Sequence, residues 1–248
     1  MKEELIYGRQ PVREALRSEK RKVEMLFVME GAQGKIIEEI KQLSQKRKIP
    51  WEAKDKDFLE ELVGKGVNHQ GVVLIAQPRI FPSWQEILEK NKVSPEATVV
   101  FVDRVEDPIN LGAIIRTAAF FGVEGILVSK ARTAPWSSPV VRASAGGIEG
   151  VDIAQINNFT QVVKKFQEAG FWIVALEADG EKNLWDVDLR GMPLGLVVGG
   201  EHTGIRKVVR SLCDVVLKIP SKGVINSLNV AVALGIGIYE VMRQRSTN

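Results

Sequence analysis

The sequence predicts an α/β protein: a small N-terminal α/β unit, then a larger Rossmann-like domain in which helices cover a parallel sheet. Three observations carry this reading. From Thr98 onward, short apolar, β-branched runs alternate with stretches of helical period. Residues 77–97 change character, punctuated by Pro78, Pro82 and Pro95 as a linker between domains would be. The polar residues of the C-terminal half gather in three clusters at the starts and turns of apolar runs.

In order along the chain, residues 10–17 and 35–45 carry helical character, and residues 23–29 and 71–76 are short apolar strands. These fill a first domain over residues 1–76. Within the linker, residues 84–89 form a short amphipathic stretch. A second domain follows over residues 98–248. Its strands are expected at 98–102, 126–128, 171–175, 194–198 and 215–219. Its helices are expected at 108–121, 139–145, 160–169, 206–212 and 227–242.

Composition narrows the function classes. A hydrophobic content of 45% over 248 residues suits a globular protein with a substantial core. The net charge is +3, and Lys plus Arg against Asp plus Glu is 16 to 13 in residues 1–80 and 16 to 15 in residues 101–248. Any nucleic-acid binding therefore comes from local patches. The densest is residues 41–48, with four positive charges and no negative one, which also suits a solvated helix face. The single cysteine, Cys213, excludes an intramolecular disulfide and a multi-cysteine zinc site. With only His69 and His202, histidine-based metal or triad chemistry is not expected. The polar start Met1-Lys2-Glu3-Glu4 has no apolar run behind it, and no 18-residue apolar stretch occurs, so a cytoplasmic protein is expected. No G-x-G-x-x-G lies between an early strand and its helix, and no G-x-x-x-x-G-K-[ST] occurs, which argues against dinucleotide binding and nucleotide hydrolysis.

The three clusters carry the chemistry, because an unpaired buried polar group costs about 1–3 kcal/mol unless something binds it. The first is Asp107-Pro108-Ile109-Asn110-Leu111-Gly112, running on to Arg116. Asp107 suits an N-cap and Pro108 the first helical position. At 100° per residue Arg116 lies about 140° from Leu111, off the apolar face. It is either a surface arginine or a guanidinium free to clamp a phosphate. The second cluster is Gly199-Gly200-Glu201-His202-Thr203-Gly204, after a strand. Its glycine pair serves a tight turn or lets a ligand approach the backbone. The third is Ile219-Pro220, followed by Asn226-Ser227-Leu228-Asn229. Asn226 or Ser227 can cap the last helix. Beyond Asn229 that helix is apolar nearly all round, so it should be buried on every side. Gly235 and Gly237, each costing about 1 kcal/mol in a helix, imply close packing in one core or close helix contact across a homodimer interface.

In order, spacing and residue identity, these clusters resemble the three motifs of the SpoU (TrmH-type) RNA 2′-O-ribose methyltransferases. The resemblance implies a SPOUT catalytic domain whose C-terminus threads a deep trefoil knot. It implies S-adenosyl-L-methionine as cofactor, held near Gly199, Ile219 and Leu228. It places Asn110, Arg116, Glu201, Ser227 and Asn229 in the RNA site, with His202 at a variable position, and implies no metal. It further implies an active site completed at a homodimer interface. Gly8-Arg9-Gln10-Pro11-Val12-Arg13-Glu14-Ala15-Leu16 and His69-Gln70-Gly71-Val72 look like the ends of an N-terminal domain similar to ribosomal protein L30e, used to hold RNA. Within the family the chain looks more like the RlmB-type guanosine enzymes of 23S ribosomal RNA than like the tRNA enzymes. A tRNA 2′-O-methyltransferase and a non-catalytic, RNA-binding ribosome assembly factor are the alternatives.

Overall fold

The computed structural model describes residues 3–18, 20–201 and 203–246. Met1, Lys2 and His202, which entered the sequence reading, lie outside them. The chain divides into two compact units: residues 1–80 with 136–150, and residues 81–135 with 151–248.

The first elements in chain order are β1 (Glu4–Tyr7), α1 (Arg9–Ser18), β2 (Val23–Met29), α2 (Lys35–Lys46), β3 (Trp51–Lys54), α3 (Lys56–Val63) and β4 (Val72–Ala76). They form a four-stranded sheet in the order β1-β4-β2-β3, with β4 antiparallel to both neighbours and β2 parallel to β3. Leu26, Val28, Val72 and Leu74 on one face pack with Ile37 and Ile40 of α2. The sequence reading passed over β1, β3 and α3. Strands of four residues are too short for periodicity to show. The helix α3 is set by a cap instead, the Asp55 side chain accepting from the Phe58 N–H at 2.8 Å.

The chain continues through α4 (Trp84–Asn91), β5 (Thr98–Asp103), α5 (Pro108–Phe121), β6 (Gly125–Ser129), α6 (Ser138–Ala143), α7 (Gly147–Gly150), β7 (Ile153–Ile156), α8 (Phe159–Glu168), β8 (Trp172–Leu176) and β9 (Lys182–Asn183). It ends with β10 (Leu194–Gly199), α9 (Lys207–Arg210), β11 (Val215–Lys218) and α10 (Val230–Ser246). The seven strands β5–β11 form one sheet, ordered β7-β6-β5-β10-β8-β11-β9, in which every pairing is parallel. The inner strands β5 and β6 are buried end to end, as parallel strands covered on both faces are expected to be. Phe101, Phe166, Phe171 and Val197 sit in its core.

Within residues 77–97, the stretch expected as a linker, Ser83 and Glu86 form a capping box that starts α4. The Ser83 side chain's hydrogen bond holds the Glu86 carboxyl below its usual pKa. Ile87 and Leu88 then join the core of the second unit.

α6 and α7 belong to the first unit. There the Arg21 Nε donates to Glu149 Oε1 at 2.6 Å with both side chains buried, and Arg21 also pairs with Glu4.

The last helix departs from the sequence reading twice. It starts at Val230 rather than 227, capped by Asn229, whose Oδ1 accepts from the Ala231 and Val232 N–H groups at 2.9 and 3.4 Å; neither Asn226 nor Ser227 is the cap. It is also not buried on every side. Val230, Leu234, Ile238 and Val241 are buried, while Val232, Ile236, Tyr239 and Met242 stand exposed. Gly237 is there for packing within the chain, since a Cβ would come 2.5 Å from Leu176 Cδ1. Among the described residues no helix is long and apolar enough to cross a membrane.

Candidate active site

The carboxyl ends of three neighbouring parallel strands, β10, β8 and β11, converge on a cavity of about 540 Å³. That end of an open parallel sheet is where α/β folds place ligands. Leu176, Val198, Leu217 and Ile219 give it apolar walls, and Gly199, Gly200, Glu201, Ser227, Leu228 and Asn229 also line it. All three residues expected to hold the cofactor, Gly199, Ile219 and Leu228, therefore face one space.

The glycine pair is fixed by close approach of other backbone. A Cβ on Gly199 would overlap the Gly204 backbone, and one on Gly200 would overlap the Arg104 carbonyl oxygen. The loop folds back so that the Gly204 N–H donates to the Gly200 carbonyl at 2.8 Å, and a bridge pairs the two residues. The glycines thus make the tight turn, and they also line the cavity.

Three expected residues meet directly. Asn110, 7% exposed near the start of α5, donates from Nδ2 to Glu201 Oε1. Asn229 Nδ2 donates to Asn110 Oδ1 at 2.7 Å and lies 3.4 Å from Glu201 Oε1. Because Asn229 Oδ1 is occupied by the α10 N-terminus, its amide can present only its nitrogen to the pair. Asp107 plays the matching part for α5, accepting from the Ile109 N–H at 3.0 Å. The network thus ties the first turns of two helices to the loop after β10.

Two expected residues stand apart. Ser227 lines the cavity and makes no hydrogen bond to the network. Arg116 is exposed on α5, off its buried face as its angle predicts, and does not line the cavity.

Sequence reasoning missed the groups that brace the loops. Asp103, fully buried at the end of β5, accepts from the Arg206 backbone N–H at 3.1 Å and from its Nε at 2.9 Å. Arg206 in turn lies over the Phe159 ring at 5.4 Å. Glu177, just after β8, accepts from the Ile205 N–H at 2.7 Å and pairs with Arg210 at 2.9 Å. A side-chain hydrogen bond from Arg210 holds the Asp179 carboxyl below its usual pKa. Glu177 and Asp179 also line the cavity. The signal for them was present: Glu177-Ala178-Asp179-Gly180 is another polar turn directly after an apolar strand.

Comparison with known proteins agrees with this geometry. Residues 97–239 match the SpoU rRNA Methylase family, and residues 5–82 match the RNA 2′-O ribose methyltransferase substrate binding family. The 23S rRNA (guanosine-2′-O-)-methyltransferase RlmB of Pseudomonas aeruginosa is 33% identical over 248 residues, covering 98% of this chain and 97% of that protein. A Staphylococcus haemolyticus protein named for the TrmH family of tRNA/rRNA methyltransferases is 33% identical over 99% of this chain and 97% of its own length. Among solved structures, the SpoU methyltransferase AviRb from Streptomyces viridochromogenes in complex with AdoMet superposes with a TM-score of 0.80 at 27% identity, covering 99% of this chain and 91% of that one. An AdoMet-bound rRNA methyltransferase from Sinorhizobium meliloti gives 0.78 at 27% identity, covering 97% and 87%. The TrmH/SpoU tRNA modifying enzyme of A. aeolicus gives 0.54 at 31% identity, covering 65% of this chain and 83% of that one.

Proposed function

The chain belongs to the SpoU family of S-adenosyl-L-methionine-dependent RNA 2′-O-methyltransferases, and from that premise we propose that its target is a guanosine of 23S ribosomal RNA, reached in the cytoplasm. The reach of the likeness supports rRNA over tRNA. The RlmB relative matches nearly the whole chain, N-terminal unit included, whereas the tRNA-modifying neighbour covers 65% of it. The N-terminal module, read as residues 1–76, is proposed to hold the RNA.

The cavity fits the cofactor. Its apolar walls suit an adenosine, and its glycine backbone passes where a Cβ would collide. The carboxylates of Glu177, Asp179 and Glu201 suit ribose hydroxyls and a cationic sulfonium. Held against the backbone near Gly199, Ile219 and Leu228, S-adenosyl-L-methionine would supply an electrophilic methyl to a ribose 2′-oxygen, its sulfur leaving as a neutral thioether and the hydroxyl proton passing to solvent. The observation that carries the assignment is the interlocked Asn110–Glu201–Asn229 network at the cavity. It holds polar groups in fixed positions before substrate arrives, and preorganisation is the main contribution such a transfer needs.

Arg116 is assigned to the RNA. A guanidinium with a pKa above about 12 is a poor base. It serves by gripping a phosphate and stabilising charge that develops on the 2′-oxygen. Its exposure on α5, a helix that packs against α10, suits completion of the site in a homodimer. A C-terminal trefoil knot around the cavity loops belongs to the same proposal.

Mapping 2′-O-methylation across ribosomal RNA and tRNA from cells lacking the protein tests the target. Loss at one 23S guanosine is expected. Loss confined to tRNA overturns the rRNA assignment, and no loss in either favours the assembly factor. Arg116→Ala tests the arginine: as an exposed side chain it should leave stability within about 0.5 kcal/mol, while single-turnover methylation falls roughly 100-fold or more. Arg116→Lys should rescue only in part, because lysine lacks the planar fork. A near-normal rate in Arg116→Ala removes the phosphate-gripping role.

A further inference from the structure

The first unit holds a second cavity, of about 780 Å³, where the two motifs at the ends of the N-terminal module come together. The Arg9 backbone N–H donates to Gln70 Oε1 at 2.9 Å, and the Arg9 Nε donates to the Gln70 carbonyl at 3.1 Å. These bonds orient the guanidinium at the cavity wall, and its terminal nitrogens have no hydrogen-bond partner among the described residues. Gln70 adopts φ 54°, a left-handed conformation uncommon for a residue with a side chain, which turns its carbonyl and side-chain oxygens onto Arg9.

His69 is the second observation. It lines this cavity, is 5% exposed, and accepts at Nδ1 from the Gly71 N–H at 3.1 Å. A neutral ring accepting at Nδ1 carries its proton on Nε2. That N–H has no partner among the described residues. The Nε2 is not one of the buried polar atoms left without a partner, so this donor faces the open cavity, where water meets it until a ligand takes its place. Met29 and Val67 add apolar surface, and Lys56 adds a cation at the rim, paired with Glu60 at 3.1 Å.

An apolar patch, a fixed guanidinium plane, an unpaired donor and a rim cation match one ligand class. Unstacked RNA bases are held by stacking on arginine planes and by hydrogen bonds to their edges, with a lysine on the adjoining phosphate. We propose that this cavity receives an unpaired nucleotide of the substrate RNA, distinct from the nucleotide that is methylated. The base lies on the Arg9 plane against Met29, an acceptor on its edge takes the His69 Nε2–H, and Lys56 meets the phosphate. The proposal rests on the RNA methyltransferase reading and adds where the N-terminal unit reads its substrate.

The test uses the full-length protein, in vitro transcribed 23S rRNA, and the variants Arg9→Lys, His69→Phe and Lys56→Glu. Each should weaken RNA binding at fixed salt by about fivefold or more, while calorimetric binding of S-adenosyl-L-methionine stays at the wild-type value. The melting temperature should stay at the wild-type value for Lys56→Glu, and His69→Phe should lower it by the loss of the Gly71 N–H acceptor. Lys56 is exposed, so its variant reports even if His69→Phe disturbs the loop. Ultraviolet crosslinking followed by peptide mapping should join RNA to the segment around residues 66–71. Wild-type RNA affinity in all three variants, with no crosslink there, overturns the proposal. So does binding of free GMP or AMP as tight as that of RNA. A wild-type protein that binds neither RNA nor cofactor defeats the underlying methyltransferase reading, a result distinct from variants failing to differ from an active wild type.

Discussion

Asn229 serves two masters with one amide. Its oxygen caps α10 and its nitrogen bonds Asn110 beside Glu201, so helix position and site geometry are coupled through a single side chain. Asn229→Asp separates the two roles, keeping the capping oxygen while removing the donor and placing a second carboxylate near Glu201. Helix content and stability should change little, and single-turnover methylation should fall roughly 100-fold. Asn229→Ala should add a stability loss of about 1 kcal/mol from the missing cap. Circular dichroism melts run beside the rate measurements check both, and Asn229→Asp at full activity removes the network from the mechanism. The identities of Asn110, Glu201 and Asn229 were legible as polar outliers among apolar runs. Their mutual bonds were not, since they join residues 91 and 119 positions apart. Nor was the cap: Asn226, Ser227 and Asn229 are all good capping types, and only the fold selects one.

At the scale of elements, α10 shows what composition conceals. Its inner face was readable as core, and Gly237 indeed admits Leu176. Its outer face, Val232, Ile236, Tyr239 and Met242, looks the same in sequence but is left largely exposed by the described residues. Ile109 and Phe120 of α5 are exposed apolar residues as well. A patch of this kind on a single chain marks an interaction surface, and a second copy is its proposed occupant. Ile236→Glu should therefore turn a dimer into a monomer and abolish methylation while leaving the circular dichroism spectrum intact. Gly237→Val should do the reverse, lowering stability by about 1–3 kcal/mol through overpacking with assembly unchanged. Sedimentation velocity reads the difference, and a wild-type protein that is monomeric at micromolar concentration yet fully active refutes the interface. Ile238, an equally apolar neighbour, is a poor probe because it is 2% exposed and belongs to the core.

For the molecule as a whole, alternation of strand and helix made the parallel sheet legible from Thr98 onward, because each buried strand is a compact β-branched run. Strand order was not legible, since parallel pairing leaves no local trace of which strands are neighbours. Least legible of all was the return of residues 136–150 to the first unit, which depends on contacts more than 100 positions apart. Its anchor is the Arg21–Glu149 pair, with side chains 1% and 2% exposed. Taking two charges out of water is costly, and breaking such a pair by removing one partner is costlier still, about 3–5 kcal/mol, because the other charge stays buried alone. Arg21→Met should therefore destabilise the chain by about that amount in chemical denaturation. Adding Glu149→Leu should recover most of the loss, since an apolar pair of similar volume avoids the desolvation cost. The Glu4 carboxylate, 42% exposed, can turn to solvent when Arg21 is gone and should not block that recovery. If Arg21→Met alone costs less than about 1 kcal/mol, the pair does not fasten residues 136–150. If the double variant stays as unstable as the single, these residues need the ion pair itself rather than the filled space.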